Sequence, residues 1–423
     1  MSARRTSRQT LRGGVVIAVA LGIMNLATYG FTILAARLLG PEEYGALAAV
    51  MGLLLVVNVL SLGLQATGAR RVSATSENLA DIEREVMATS YVTAAALGVL
   101  ALALAPVVTS ILDLGHWGTA ALIAVTLVPL SVMGGQAGVL QGSRRWGPLA
   151  AIYLAAGIGR LGFGAAALLV ERSTEGAMVG VTLGAFLPAV IGWLALRSPA
   201  RRRDMAPAST SRLPAWAPGG ALRETLHNSH ALLAFFALSN ADVIIARSIL
   251  GGHQAGLYAG GLILSKAVLF LPQFVVVIAF PSMSKNGAGP RMHLLSLGLV
   301  LLIGVVTVAG VAVLSSLAVV FVGGPAYVDL QGRLWVFAAL GTLLAMIQLM
   351  VYGVVARQRQ RMVFVVWGAL AVLVCLSPFV GSVGFLLAAV VSVDLVLFVV
   401  LLVATLRTPA PRGTSPTASP AAV

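Results

Sequence analysis

Residues 35–53 read AARLLGPEEYGALAAVMGL, and residues 246–264 read ARSILGGHQAGLYAGGLIL. At an offset of 211, half of the 423-residue chain, Ala35, Leu39, Gly40, Gly45, Ala48 and Leu53 fall on Ala246, Leu250, Gly251, Gly256, Ala259 and Leu264. Six matches in nineteen columns carry little weight in a chain so rich in Ala, Leu and Gly. Their position carries more: each stretch closes one long apolar run and opens the next, so each is the turn of a helical hairpin. Gly40 and Gly251 are expected to supply positive φ where a helix ends. Gly45 and Gly256 let the following helix begin close against a neighbour.

Outward from these hairpins the chain is 59% hydrophobic and 10% charged, with a mean hydropathy of +0.97. Soluble domains carry about 25% charged residues, so a soluble enzyme is excluded. Twelve apolar runs can be traced, near residues 14–36, 46–66, 88–112, 119–141, 149–170 and 177–196, then 226–249, 255–281, 293–321, 333–355, 362–380 and 383–406. Each is long enough to cross a bilayer, and the ninth is long enough to tilt or to carry an interfacial end. Six runs per half give both halves the same orientation, which makes them parallel repeats about an axis along the membrane normal. The expected fold is an all-α polytopic membrane protein, about 12 transmembrane helices in two parallel six-helix repeats around a central cavity. Its parts are an N-terminal lobe over 1–196, a basic linker over 197–225, a C-terminal lobe over 226–407 and a disordered tail over 408–423.

Charge fixes the expected orientation. The 28 Lys and Arg outnumber the 14 Asp and Glu, a balance that in a soluble chain would suggest nucleic acid. Here the basic residues sit between apolar runs. With the N-terminus in the cytoplasm, 22 of the 28 fall in cytoplasmic segments, and only Arg37, Arg172, Arg247 and Arg333 fall outside. That bias is the positive-inside pattern, so both termini are expected inside, membrane lipid is the expected surroundings and nucleic acid is not a partner. The basic-then-apolar N-terminus has the look of a signal peptide, but its apolar run continues to Ala36, which favours a retained first span. Outer connections are too short for an extracytoplasmic catalytic domain. Gly-Lys-Ser/Thr, His-Glu-x-x-His and Gly-x-Ser-x-Gly patterns are all missing, and the single cysteine, Cys375, lies in an apolar run. Neither an enzyme nor a cofactor is expected.

The stretch ARLLGPEEYGALA (36–48) and the stretch NADVIIARSILGGHQAGLYAGGLILSKAVLFLPQFVVVIAFPSMSK (240–285) resemble the polysaccharide and oligosaccharide flippases. These belong to the multidrug/oligosaccharidyl-lipid/polysaccharide exporter superfamily, which also holds lipid II flippases and multidrug antiporters. The resemblance implies a V-shaped pair of lobes around a cavity and transport by alternating access. The implied cargo is an undecaprenyl-diphosphate-linked oligosaccharide, moved from the cytoplasmic to the outer leaflet of a bacterial-type cytoplasmic membrane. Two further C-terminal spans, usual in lipid II flippases, have no counterpart in the twelve runs, which lowers that variant. An ion-coupled multidrug antiporter is the nearest alternative; a membrane-embedded polymerase or glycosyltransferase is the more distant one.

A charge at the bilayer centre costs about 2.5–3.5 kcal/mol on the insertion scale, so each one invites a role. Arg160 lies midway along the fifth run among Gly157, Gly159, Gly162 and Gly164, and Lys266 lies within the eighth. Two cations at depth suit a diphosphate that has left water; pairing with a carboxylate, or snorkelling, is the alternative. Asn25 is a candidate for sugar contact, although polar groups such as Asn25, Asn58, Gln136 and Gln348 more often bond a neighbouring helix. Asp242 and Asp394 are candidates for coupling to H+ or Na+, or for neutralising Arg160 or Lys266. Gly134, Gly138 and Gly142 recur every four residues as a helix-packing seam. Pro106, Pro129, Pro188, Pro272, Pro281 and Pro378 can kink their spans.

Overall fold

The computed structural model describes residues 2–74, 79–197, 218–269, 290–356 and 360–406. Regular structure among these residues is helical. A continuous helical stretch, Ser2–Ala74, is broken at Gly40, whose φ of 72° ends one helix before Pro41 starts the next. We call the halves α1 (residues 2–39) and α2 (residues 41–74). Pro at the first helical position fits, because its missing N–H has no partner there in any case. Next come α3 (Leu79–Leu112), α4 (Trp117–Gly142), α5 (Trp146–Val170) and α6 (Thr174–Arg197). The second half holds α7 (Pro218–Ile249), α8 (Gly252–Leu269), α9 (Pro290–Val313), the short α10 (Ser315–Val322), α11 (Leu334–Ala356), α12 (Gln360–Leu376) and α13 (Val383–Leu406). A 3-10 segment, Pro325–Arg333, precedes α11.

Among the described residues, ten helical stretches are long and apolar enough to cross a membrane. The first of them, Gly13–Ala74, supplies two spans through its break at Gly40. The eighth run is represented by α8, which is polar at its start, is described only to Leu269 and is not among those ten. The remainder of the eighth run, with Pro272 and Pro281, lies outside the described residues, as do Lys285 after it, residues 198–217 of the linker and the chain from 407. The ninth run splits at Leu314 into a full span and the eight-residue α10. The chain enters α7 at Pro218, earlier than the apolar pattern alone suggests.

Each lobe packs through small residues. A Cβ on Gly138 would lie 2.7 Å from the Gln65 carbonyl, and Gly134 and Gly142 face the Ser61 and Ala69 carbonyls in the same way. The i, i+4 glycines of α4 therefore admit the i, i+4 residues of α2, and Ser61 Oγ donates to the Leu130 carbonyl at 2.6 Å. Large apolar side chains such as Leu26, Val99, Leu169 and Phe364 are left exposed on the outside of the helices. That is the expected solvent contact of a lipid-embedded surface.

The two repeat hairpins meet each other. A Cβ on Gly45 would sit 2.8 Å from the Gly256 Cα, and one on Gly256 would overlap the Pro41 carbonyl. These glycines thus join lobe to lobe, not merely a helix to its own neighbour. Gly251 departs from the expected role: the positive-φ glycines among the described residues are Gly40, Gly115 and Gly324. Its carbonyl accepts from Ala255 N at 3.0 Å, so it caps the start of α8, a position glycine tolerates with ordinary φ. Below, the end of the molecule carrying these turns is the hairpin face, and the opposite end is the terminal face.

Candidate functional site

Between the lobes lies a cavity of about 160 Å³ walled by α1, α2, α5, α7 and α8. Its lining repeats at the same offset of 211 as the hairpins. Thr32 and Val243, Ala48 and Ala259, Met51 and Leu262, and Leu55 and Lys266 are four equivalent pairs, and all eight residues line it. The cavity therefore straddles the pseudo-symmetry axis. Two cations reach its wall, Arg160 from the first lobe and Lys266 from the second.

Arg160 is positioned by its glycine neighbours. A Cβ on Gly157 would lie 2.6 Å from the Met24 Cα of α1, and one on Gly159 would lie 2.8 Å from the Gly184 carbonyl of α6. Backbone contact on both sides fixes α5, and Arg160 projects from it about 15 Å from the hairpin end of the helix at 1.5 Å per residue. Among the described residues its guanidinium has no hydrogen bond and no ion pair. It is half-buried and unmatched.

Lys266 is set differently. Its neighbour Ser265 donates to the Phe337 carbonyl of α11 at 2.6 Å, and Gly341 packs on the Ser265 backbone. That locks one side of α8 into the second lobe and turns Lys266 to the cavity. Its Nζ donates to Asn240 Oδ1 at 2.7 Å. Asn240 is itself oriented by Nδ2, which donates to the Phe236 carbonyl at 2.8 Å. The hydrogen-bond partner of Lys266 is a neutral amide, and among the described residues no salt bridge closes on it.

Asp242 lies two residues on, roughly on the opposite side of α7. It is 2% exposed, accepts from Val243 N at 2.8 Å and accepts from Tyr258 Oη at 3.1 Å. Asp242 feels the Lys266 charge, yet no ion pair closes between them. Asp394 of α13 is also 2% exposed and interacts electrostatically with Asp242 and Tyr258. The second lobe thus holds a buried carboxylate pair behind the cavity wall. Asn25 is half-buried one turn from Tyr29 and does not line the cavity.

Of the sequence candidates, the structure brings Arg160 and Lys266 to one cavity and Asp242 and Asp394 to one neighbouring cluster. Sequence reasoning missed Asn240, Tyr258 and Tyr44, which orient or line these groups. At the offset of 211, Tyr258 falls on Leu47 within the hairpins, and extending the same offset beyond them pairs Asn240 with Tyr29.

Two parallel six-helix repeats around a cavity define the class of fold, a polytopic helical membrane protein. The same fold is seen in a multidrug resistance MATE family transporter of the MOP superfamily in its inward-facing conformation. The two share 12% identity with a TM-score of 0.66, over 94% of this chain and 99% of that one. The MATE multidrug transporter DinF-BH is similar at 13% identity and a TM-score of 0.65, over 95% of each chain. The eukaryotic MATE transporter AtDTX14 is similar at 13% identity and a TM-score of 0.63, over 95% and 96% of the two chains. No curated protein matches the sequence. The family model described as polysaccharide biosynthesis protein matches residues 10–287, and the chain belongs to that family.

Proposed function

We propose that the protein flips an undecaprenyl-diphosphate-linked oligosaccharide from the cytoplasmic to the outer leaflet by alternating access, with both termini in the cytoplasm. In this reading residues 1–196 and 226–407 are the moving lobes, 197–225 links them, and the hairpin face looks outward. The observation that carries the proposal is the pair of cations, one from each lobe, on the wall of a single cavity, neither held in a salt bridge among the described residues. A diphosphate entering that cavity would meet Arg160 and Lys266 together, and charge-assisted hydrogen bonds to phosphate oxygens would replace its lost hydration. The apolar remainder of the wall, such as Met51, Leu55 and Leu262, supplies no competing anion. Asn25 in this reading is a sugar contact on the approach to the cavity, one turn beyond its lining.

The buried pair Asp242 and Asp394 is the proposed ion-coupling element, taking up H+ or Na+ within the second lobe. Its connection to the cargo is short: Asp242 and Asn240 share a turn of α7, and Asn240 holds Lys266. A change of charge at Asp242 therefore changes the field at the cation that meets the diphosphate.

A second reading, an ion-coupled multidrug antiporter, is favoured by these same carboxylates and by the likeness in fold to solved multidrug transporters. The two readings separate in proteoliposomes. The flippase reading expects a labelled diphosphate-linked oligosaccharide to become accessible in the opposite leaflet only when protein is present. Ion-driven efflux of cationic dyes, with no lipid flipping, would favour the antiporter.

A further inference from the structure

We propose that Arg37 and Arg247 form a reciprocal latch that holds the hairpin face shut, each guanidinium binding carbonyls at the end of the third apolar run of the opposite lobe. Arg247, near the end of α7, donates from Nε to the Leu112 carbonyl at 2.9 Å and from Nη2 to the Asp113 carbonyl at 2.8 Å. Leu112 is the last residue of α3, in the other lobe. Arg37, near the end of α1, donates from Nη2 to the Val320 carbonyl at 2.6 Å, in the last turn of α10. The first span of each half thus reaches across to the end of the third run of the other.

The chemistry suits a gate. The last carbonyls of a helix have no intrahelical partner and carry partial negative charge. Backbone capping at these ends uses other acceptors: Leu114 N donates to Thr109, and Gly323 N and Gly324 N both donate to Val319. The Leu112, Asp113 and Val320 carbonyls are left to the arginines. Because the acceptors are backbone carbonyls, water re-satisfies them when the lobes part, and no carboxylate is stranded. Tyr327 Oη adds a cross-lobe bond to the Ala36 carbonyl at 3.3 Å. The two arms are unequal, since Arg247 is 9% exposed with two short bonds, and Arg37 is exposed with one. Arg247 is the main latch.

The test measures spacing across the hairpin face, independent of cargo and orientation, so it can fail while the flippase reading stands, and the reverse. Spin labels are placed at Trp117→Cys and Val328→Cys, both exposed, in a Cys375→Ser background, and distances are read by pulsed electron resonance in nanodiscs. Arg247→Ala should add a longer-distance component, shifting the closed-to-open ratio about tenfold. Arg37→Ala should shift it less, and Arg247→Lys should fall between Arg247→Ala and the parent. Arg37 is exposed, so its replacement spares the core and keeps the test available if Arg247→Ala folds poorly. A distribution unchanged in Arg37→Ala and in Arg247→Lys would overturn the latch.

Discussion

The two lobes share one hairpin scaffold and differ sharply in what they hang on it. At the common offset, Tyr29, Phe31, Leu47 and Leu55 of the first lobe correspond to Asn240, Asp242, Tyr258 and Lys266 of the second. The first set presents aromatic and aliphatic wall to the cavity. The second forms a connected polar group, with Lys266 on Asn240 and Tyr258 on Asp242. The glycines that bring the hairpins together are retained in both, Gly45 against Gly256. The close approach is thus common to both halves, and the chemistry is one-sided. The first lobe supplies its single cavity cation, Arg160, from α5, outside the aligned hairpin. In this account both lobes grip the cargo, and only the second senses the ion.

Removing both cations should break the comparison most severely. The Arg160→Ala, Lys266→Ala double variant should lose flipping by at least about 100-fold, and each single variant by about 10–100-fold, since a charged hydrogen bond contributes about 1.5–3 kcal/mol. Membrane insertion, read by monodispersity in detergent, should be retained. Moving the charge across the axis is a sharper probe. If position along the cavity wall matters more than which lobe holds the cation, Leu55→Lys in a Lys266→Leu background should recover flipping to within about tenfold of the parent.

The next effects fall on coupling. Asp242→Asn and Asp394→Asn should each abolish the response of transport to an imposed H+ or Na+ gradient while downhill flipping continues; an intact gradient response would remove the pair from coupling. Smallest is Tyr258→Phe, which deletes one hydrogen bond to Asp242. At about 1 kcal/mol it should shift the ion dependence of transport about fivefold, measured as the ion concentration giving half-maximal rate.

How far these features could be read from sequence follows their physics. Spans were legible because a bilayer demands about 20 apolar residues in a row, and the repeat because Gly40 sits at a positive-φ turn and Gly45 and Gly256 sit where backbones meet. Arg160 and Lys266 stood out because charges at such depth are rare. What escaped was whatever depends on facing. Asn240 and Asp242 are two residues apart, yet one reaches the cavity cation and the other the interior of the lobe. Arg37 and Arg247 looked like the few basic residues on the sparse side of a charge bias. Their partners are backbone carbonyls of distant helices, which no side-chain pattern can announce. The split of the ninth run at Leu314 left no proline or glycine to mark it.

The central claim is that Arg160 and Lys266 together recognise a diphosphate between the lobes. Binding of an undecaprenyl-diphosphate-linked sugar, compared with the same sugar on an uncharged polyprenyl chain, tests it most directly in nanodiscs. The account predicts at least about tenfold preference for the diphosphate form, vanishing in the Arg160→Ala, Lys266→Ala double variant. Equal binding of the two lipids by the parent protein, or a preference that survives the double replacement, would contradict it.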